Sequence, residues 1–401
     1  MPSQPPPQRK VTRLAALGLA LLAGCAHEHR ARQGPTGLSA HKPLLLVLPP
    51  VSLAGGPVPL KAVRAAVEGA LRARGLPLVP DGEAEAFFAT HRVRYTGGVE
   101  REEASAALHE LGATAVVVTT VVDYQTGEVP RLTLVQRAVQ TGDEPRLLWI
   151  DGTSRAGDDS PGLLDLGLVT DVRALQAEGL VALAASLDAS LSGSAPLAGA
   201  CPLERRFAPE LSFRSSALVA GKRLSMAVLP FVNHTDRRGA GEAAALSFAR
   251  QLATLDGLEV VEPGLVREDL LSFRLVTEGG VTLDRARLIQ ELVNADLLLT
   301  GTVHTFVEGS GTSAPRVEVT IEVSDRRDSE LVWRSDSEGR GDRGVFFFEV
   351  GRVATAADVT CRLAQAVAAR FLTLPAKTLP PGRSPAAPDK RAPKPARDSS
   401  N

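Results

Sequence analysis

Aromatic side chains are scarce, at 4% of the residues, so any core must be built from the abundant Ala, Leu and Val. Three cysteines are too few for a disulfide scaffold or a four-cysteine zinc site. Neither sign of charge is in excess, and a net charge of −1 argues against the clustered basic footprint of a nucleic-acid binder. The signatures of common catalytic sites are also missing: there is no G-x-S-x-G elbow, no P-loop and no H-E-x-x-H. Ser39-Ala40-His41-Lys42 matches S-x-x-K but has no companion motif, and His27-Glu28-His29 lies outside any element that would fix a metal ion. No catalytic residue, metal site or cofactor is expected, and the chain is expected not to be an enzyme.

The 401 residues suit two domains better than one. They begin with a positive segment (Arg9, Lys10, Arg13) and a short apolar run, Leu14 to Ala23. That run is about half the ~20 residues a membrane-spanning helix needs, so it reads as a signal peptide over 1–24. Leu22-Ala23-Gly24-Cys25 then resembles a bacterial lipobox. The resemblance implies lipidation of Cys25, which becomes the mature N-terminus on a tether (25–42) anchored by several acyl chains. Ala26 after the cysteine implies sorting to the outer membrane, facing the periplasm. With Cys25 lipidated, Cys201 and Cys361 remain as the pair that can form one disulfide in an oxidising compartment.

Landmarks recur at a near-constant spacing. Gly75-Leu76-Pro77-Leu78-Val79 parallels Gly257-Leu258-Glu259-Val260-Val261, an offset of 182 (257 − 75). Leu48-Pro49 parallels Leu229-Pro230, Pro130-Arg131-Leu132 parallels Pro315-Arg316-Val317, and Gly167-x-Val169 parallels Gly351-x-Val353. The only two tryptophans, Trp149 and Trp333, lie 184 apart (333 − 149). The sequence therefore reads as two copies of one domain, at 43–190 and 223–373. Between them lies a Ser/Pro/Gly-rich linker, 191–222, and after them a Pro-rich basic tail, 374–401, expected to be disordered. Each copy is predicted as strand, helix, strand, a helix pair, a three-stranded antiparallel meander and a closing helix. The predicted strands are 44–48, 76–79, 115–124, 131–140 and 146–151, then 225–229, 258–261, 297–307, 316–324 and 331–335. The fold class is α/β, an α+β sandwich with helices packed on a mixed sheet.

The second copy carries a recognisable phrase. Met226-Ala227-Val228-Leu229-Pro230-Phe231-x-Asn233-x-Thr235 opens it, Asn294-Ala295-Asp296 leads into LLLTGTV at 297–303, and Leu331-Val332-Trp333 follows. These residues resemble a superfamily that includes the curli secretion lipoprotein CsgG, the synthase activator LpoB, flagellar outer-membrane lipoproteins and the amino-terminal domain of TolB. The first copy keeps the layout but has Pro50 for Phe231 and Thr119 for Gly301. Pro230, Phe231, Asn233, Asp296, Gly301 and Trp333 are read as determinants of the fold. Pro230 suits a strand end, Asn233 an Asx-type turn, Asp296 a strand entry, and Gly301 a bulge or close approach.

The combined expectation is a lipid-anchored, non-catalytic lipoprotein that docks to an envelope protein of cell-wall synthesis, secretion or motility. The alternative is a self-assembling channel or ring of the curli type, which needs long membrane-spanning hairpins. Segment 297–335 is broken by charged turns and has no room for two. The basic tail offers a contact to anionic envelope polymers such as peptidoglycan.

Overall fold

A computed structural model describes residues 42–371, apart from 94–96, 160–166, 216–217, 219–222, 276–279, 310–312, 328–329 and 346–350. The expected signal peptide, the lipobox residues Leu22, Ala23 and Gly24, Cys25 itself and the tail lie outside the described residues.

The first half starts with β1 (Leu45–Val47) and β2 (Val51–Ser52), separated by Pro49 and Pro50. α1 (Leu60–Ala73) buries Val63, Val67 and Leu71, one stripe of a helix. α2 (Asp81–Thr90) and α3 (Arg101–Leu111) form the helix pair, and the Glu103 side chain caps the start of α3 by accepting the Glu100 N–H at 3.3 Å. β3 (Ala115–Gln125), β4 (Arg131–Gln140) and β5 (Leu147–Ala156) are the antiparallel meander, and α4 (Val172–Leu191) closes the half.

The second half repeats this order. β7 (Leu224–Val228), β8 (Val232–Asn233), α5 (Ala240–Leu252) and β9 (Leu258–Val260) lead to the pair α6 (Pro263–Ser272) and α7 (Leu283–Leu292). The meander is β10 (Leu297–Val307), β11 (Arg316–Asp325) and β12 (Glu330–Arg340), and α8 (Ala356–Phe371) ends it. Both meanders run on past the predicted third strand, because β5 and β12 continue to Ala156 and Arg340.

Sheet order is β1-β3-β4-β5 with β2 beside β3, and, with β6 (Leu211–Arg214) from the connecting stretch, β6-β12-β11-β10-β7-β9 with β8 beside β10. The irregularities repeat as well. β3 shifts register past Val122 and β10 past His304. β5 shifts past Leu148, next to Trp149, and β12 past Val332, next to Trp333. A bulge at the same place in both sheets re-aims equivalent side chains in the same way.

Two departures from the sequence reading have clear causes. The strand expected at 76–79 is reduced to a single bridge, Leu45–Leu78, whereas its counterpart β9 forms a ladder. Pro77 and Pro80 have no N–H to donate, and Glu259 and Glu262 stand near those places in the second half. The connecting stretch 191–222 also supplies structure. Ala198 bridges Ile150, Phe207 is fully buried, and β6 (Leu211–Arg214) extends the second sheet beside β12.

The layers explain how the halves are joined. One face of the first sheet packs on α1 and α4 through Val47, Val117, Leu132, Leu134 and Trp149. Part of its other face lies on α2 and α3. The rest of that face, through Val122, Val135 and Ile150, shares a core with α5, α8 and the second sheet. The helices α5 and α8 are thus held between two sheets. β3 is accordingly buried on successive residues from Ala115 to Tyr124, while β11 alternates between buried and half-exposed.

Candidate functional site

Beside the apolar core that the halves share, their junction carries charged side chains, among them two buried pairs. Glu262 precedes Pro263 at the start of α6, and its carboxylate accepts the N–H of Gly264 and, at 3.1 Å, of Leu265. The other carboxylate oxygen receives Arg137 Nε from β4 at 3.1 Å, with both side chains fully buried. Arg137 also donates to the Gly97 carbonyl. Burial pushes the Glu262 carboxyl up, and Arg137 and the two N–H groups pull it back. Beside this pair the backbones of Gly98 and Gly264 touch: a Cβ on Gly98 would stand 2.3 Å from Gly264 Cα. Any side chain at either position would separate the halves.

Two further contacts flank the pair. Arg101, the first residue of α3, forks onto Asp269 at 2.8 and 3.0 Å and reaches Glu268 at 3.0 Å. Arg250 on α5 meets Asp151 of β5 at 2.6 Å, and burial above all pushes its guanidinium down. Cys201 and Cys361 are joined by a disulfide with Cα atoms 6.0 Å apart, which ties the connecting stretch to α8. Gln251 donates to Gly199 O at 3.2 Å and accepts the Cys201 N–H at 3.0 Å, fixing the same corner.

The residues singled out in the second half lie on its strands β8, β10 and β12 or on the turns that enter and leave them. The Phe231 ring lies on Gly301, where a Cβ would stand 2.7 Å from the ring. In the first half Pro50 leaves that space open, and Thr119 fills the glycine position and accepts from Gln136 at 3.1 Å. Asn233 Oδ1 accepts the Thr235 N–H at 3.0 Å, and its Nδ2 donates to Arg237 O at 2.8 Å, so one side chain shapes the loop. Asp296 Oδ2 accepts from Ser225 N at 2.9 Å and Ser225 Oγ at 3.1 Å, tying β7 to the entry of β10. Trp333 is fully buried with its ring 5.3 Å from Phe371, and Pro230 is exposed. These residues share one half but converge on no common pocket.

The register relates what is covered in the first half to what is open in the second. Val122, Val135, Arg137 and Ile150 face the junction, and their counterparts are His304, Thr320, Glu322 and Arg334. These pair among themselves: Arg334 with Glu322 at 2.7 Å, and His304 with Thr320 Oγ1 at 3.0 Å. Thr320 in turn donates to Asp336 at 2.7 Å. At the position of Arg101, the first residue of α7 is Leu283, which is 49% exposed. Leu271 and Phe273 near the end of α6 are more than half exposed, and Leu288 on α7 nearly so. Apolar side chains of this size on a helix pair are the exposed feature that calls for explanation.

No protein-family model and no curated protein matches the sequence. Solved structures do resemble parts of it. The PelC dodecamer from Paraburkholderia phytofirmans aligns over 39% of this chain and 93% of its own, at 17% identity and a TM-score of 0.27. Lipoprotein GNA1162 from Neisseria meningitidis aligns over 32% and 88%, at 20% identity and a TM-score of 0.26. The LpoB C-terminal domain from Salmonella enterica aligns over 28% and 82%, at 17% identity and a TM-score of 0.23.

Among the described residues no helix is long and apolar enough to cross a membrane, and no group of three or more His, Cys, Asp or Glu is placed to hold a metal ion. Sequence reasoning missed the junction residues Arg137, Glu262, Arg101 and Arg250. One signal was available. Gly98 and Gly280, and Gly82 and Gly264, stand at the constant offset, although only Gly98 and Gly264 need bare backbone, each for the other.

Proposed function

We propose that this chain is a lipid-anchored, non-catalytic lipoprotein of the cell envelope, a tandem member of the superfamily that includes CsgG, LpoB and the amino-terminal domain of TolB. Its fused halves act as one adaptor that docks to an envelope protein through α6 and α7. One observation supports this most. The second half leaves open the position that Arg101 occupies at the junction, where it carries exposed Leu283, and Leu271 and Phe273 at the end of α6 are exposed as well. The outer face of the second sheet argues against stacking of a third unit and hence against the curli-type ring. The apolar junction residues Val122, Val135 and Ile150 are matched there by His304, Thr320 and Arg334, which are satisfied within the face: His304 by Thr320, and Arg334 by Glu322.

The test places a photo-crosslinking amino acid at position 273 or 283 of the full-length protein in its own cells. Links to a component of cell-wall synthesis, secretion or motility identify the partner, and links only between copies of this chain favour the ring. In parallel, Cys25→Ser is expected to abolish incorporation of labelled palmitate and release the protein from the membrane fraction. Retention of both would overturn the anchor.

A further inference from the structure

A groove of about 600 Å³ opens at the edge of the junction, away from the exposed helix pair. The first half contributes the end of β3, with Asp123. The second contributes the loop after β8, with His234 and Arg237, and the end of β10, with His304, Phe306 and Glu308. The wall is rigidly made. Arg237 stacks its guanidinium 4.6 Å from the Phe306 ring centre and donates Nη2 to Val122 O at 2.7 Å. Its loop is held by Asn233, and the His234 and His304 rings stand 6.0 Å apart, edge to face. Glu308 accepts the Ala356 N–H on Oε2 at 2.9 Å.

Two atoms of this wall are left over. Arg237 Nη1 and Glu308 Oε1 are buried and have no hydrogen-bond partner among the described residues. A buried charged group with an unused donor or acceptor is an unfavourable arrangement, and an incoming group of complementary chemistry relieves it. Here the two unused atoms carry opposite charge. Asp123 pairs with Arg131, at 3.3 Å. Arg131 in turn donates to Gly309 O at 2.8 Å. Burial, and then the Asp123 carboxylate beside it, push the Glu308 carboxyl up, while the Ala356 N–H, Arg131 and Arg237 pull it part of the way back.

We propose that the groove binds a small zwitterion, an amino acid or short peptide, with its ammonium on Glu308 Oε1 and its carboxylate on Arg237 Nη1. The competing chemistries fit less well. A purely anionic ligand would face Asp123 and Glu308 together. A metal ion lacks its ligand set among the described residues. A sugar usually needs an aromatic platform, and Phe306, the only phenyl, indole or phenol ring in the lining, is covered by Arg237 and buried. The proposal does not depend on the docking reading, since it uses a different surface.

The test titrates the full-length lipoprotein in detergent micelles with L-alanyl-L-alanine by calorimetry. Ethylammonium chloride, sodium acetate and glucose are run as probes that each carry one part of the chemistry. Saturable dipeptide binding is expected, weaker by about ten-fold or more for either single-charge probe and for Arg237→Gln or Glu308→Gln. A diazirine-bearing dipeptide on the unaltered protein gives a second readout, so the result stands even where a variant does not fold. Its label is expected on peptides spanning 234–237 or 304–308. The proposal is overturned by no dipeptide binding up to about 10 mM, by tighter binding of glucose, by unchanged affinity in both folded variants, or by label only elsewhere.

Discussion

Separating Arg137 from Glu262 is the sharpest test of how the halves are joined. Both side chains are fully buried and 3.1 Å apart, so each charge depends on the other for most of its compensation. In Arg137→Met, Glu262 keeps two backbone N–H donors but loses its counter-charge. In Glu262→Gln, Arg137 keeps only the Gly97 carbonyl among its contacts at the junction. Breaking a buried pair from one side costs about 3–5 kcal/mol, because a charge is left without compensation. The double variant removes the cation and keeps a neutral oxygen on the α6 cap, so it should lose only about 1–2 kcal/mol. Urea unfolding of the full-length protein measures this, with one tryptophan in each half, Trp149 and Trp333, as separate reporters. Trp149→Phe and Trp333→Phe backgrounds show which half unfolds at which midpoint. The expected result is an early loss of the junction in each single variant, with recovery in the double. Single variants within about 1 kcal/mol of the parent, or a double variant as poor as the sum of the singles, would refute a desolvated pair.

Three other perturbations follow from the structure. Gly301→Ala places a methyl 2.7 Å from the Phe231 ring and should cost about 1–3 kcal/mol, partly restored by Phe231→Leu in a double-mutant cycle. Reducing the Cys201–Cys361 disulfide, which closes a sequence separation of 160, should lower the thermal midpoint of the second half by an amount corresponding to roughly 3–5 kcal/mol. Equal melting with and without reductant would deny it a stabilising role. Burial, and then Asp159, push the Asp358 carboxyl up to about 6, against Arg250 and Arg206, while Arg362 also holds it at 3.0 Å. That value lies above the ~4 of an unfolded aspartate, so its stabilising contribution is full below about pH 4 and is lost as pH rises through 6. Asp358→Asn should therefore flatten the stability profile across that window by roughly 3 kcal/mol, and an unchanged slope would contradict it.

Much of each half could be read from local pattern. Leu60, Val63, Val67 and Leu71 fall at i, i+3, i+7 and i+11 in the sequence, a helical stripe of which the last three are buried in α1, and the β-branched runs predicted the meanders. Reading failed where the deciding atoms belong to another element. The strand at 76–79 carries a strand-like apolar pattern, but Pro77 and Pro80 leave too few donors for a ladder. The turn chemistry of Asn233 was legible because that side chain bonds its own loop. The groove was not, since Asp123, Arg237 and Glu308 are far apart in the chain and meet only across the junction.

At Gly301 the sequence allowed a bulge or a close approach, and the Phe231 ring, distant in the chain, decides for the second. The sequence by itself determined the repeated order of elements and the turn at Asn233. Each depends on residues near in the chain, or on a spacing that recurs at a constant offset. Only the tertiary structure decided that the second face of the first sheet is covered along its length, while that of the second sheet is covered at one end only, by α6 and α7. That difference lies in Val122, Val135, Arg137 and Ile150 set against His304, Thr320, Glu322 and Arg334, on matching backbones. A strand pattern states which residues share a face, and it says nothing about which helices cover that face.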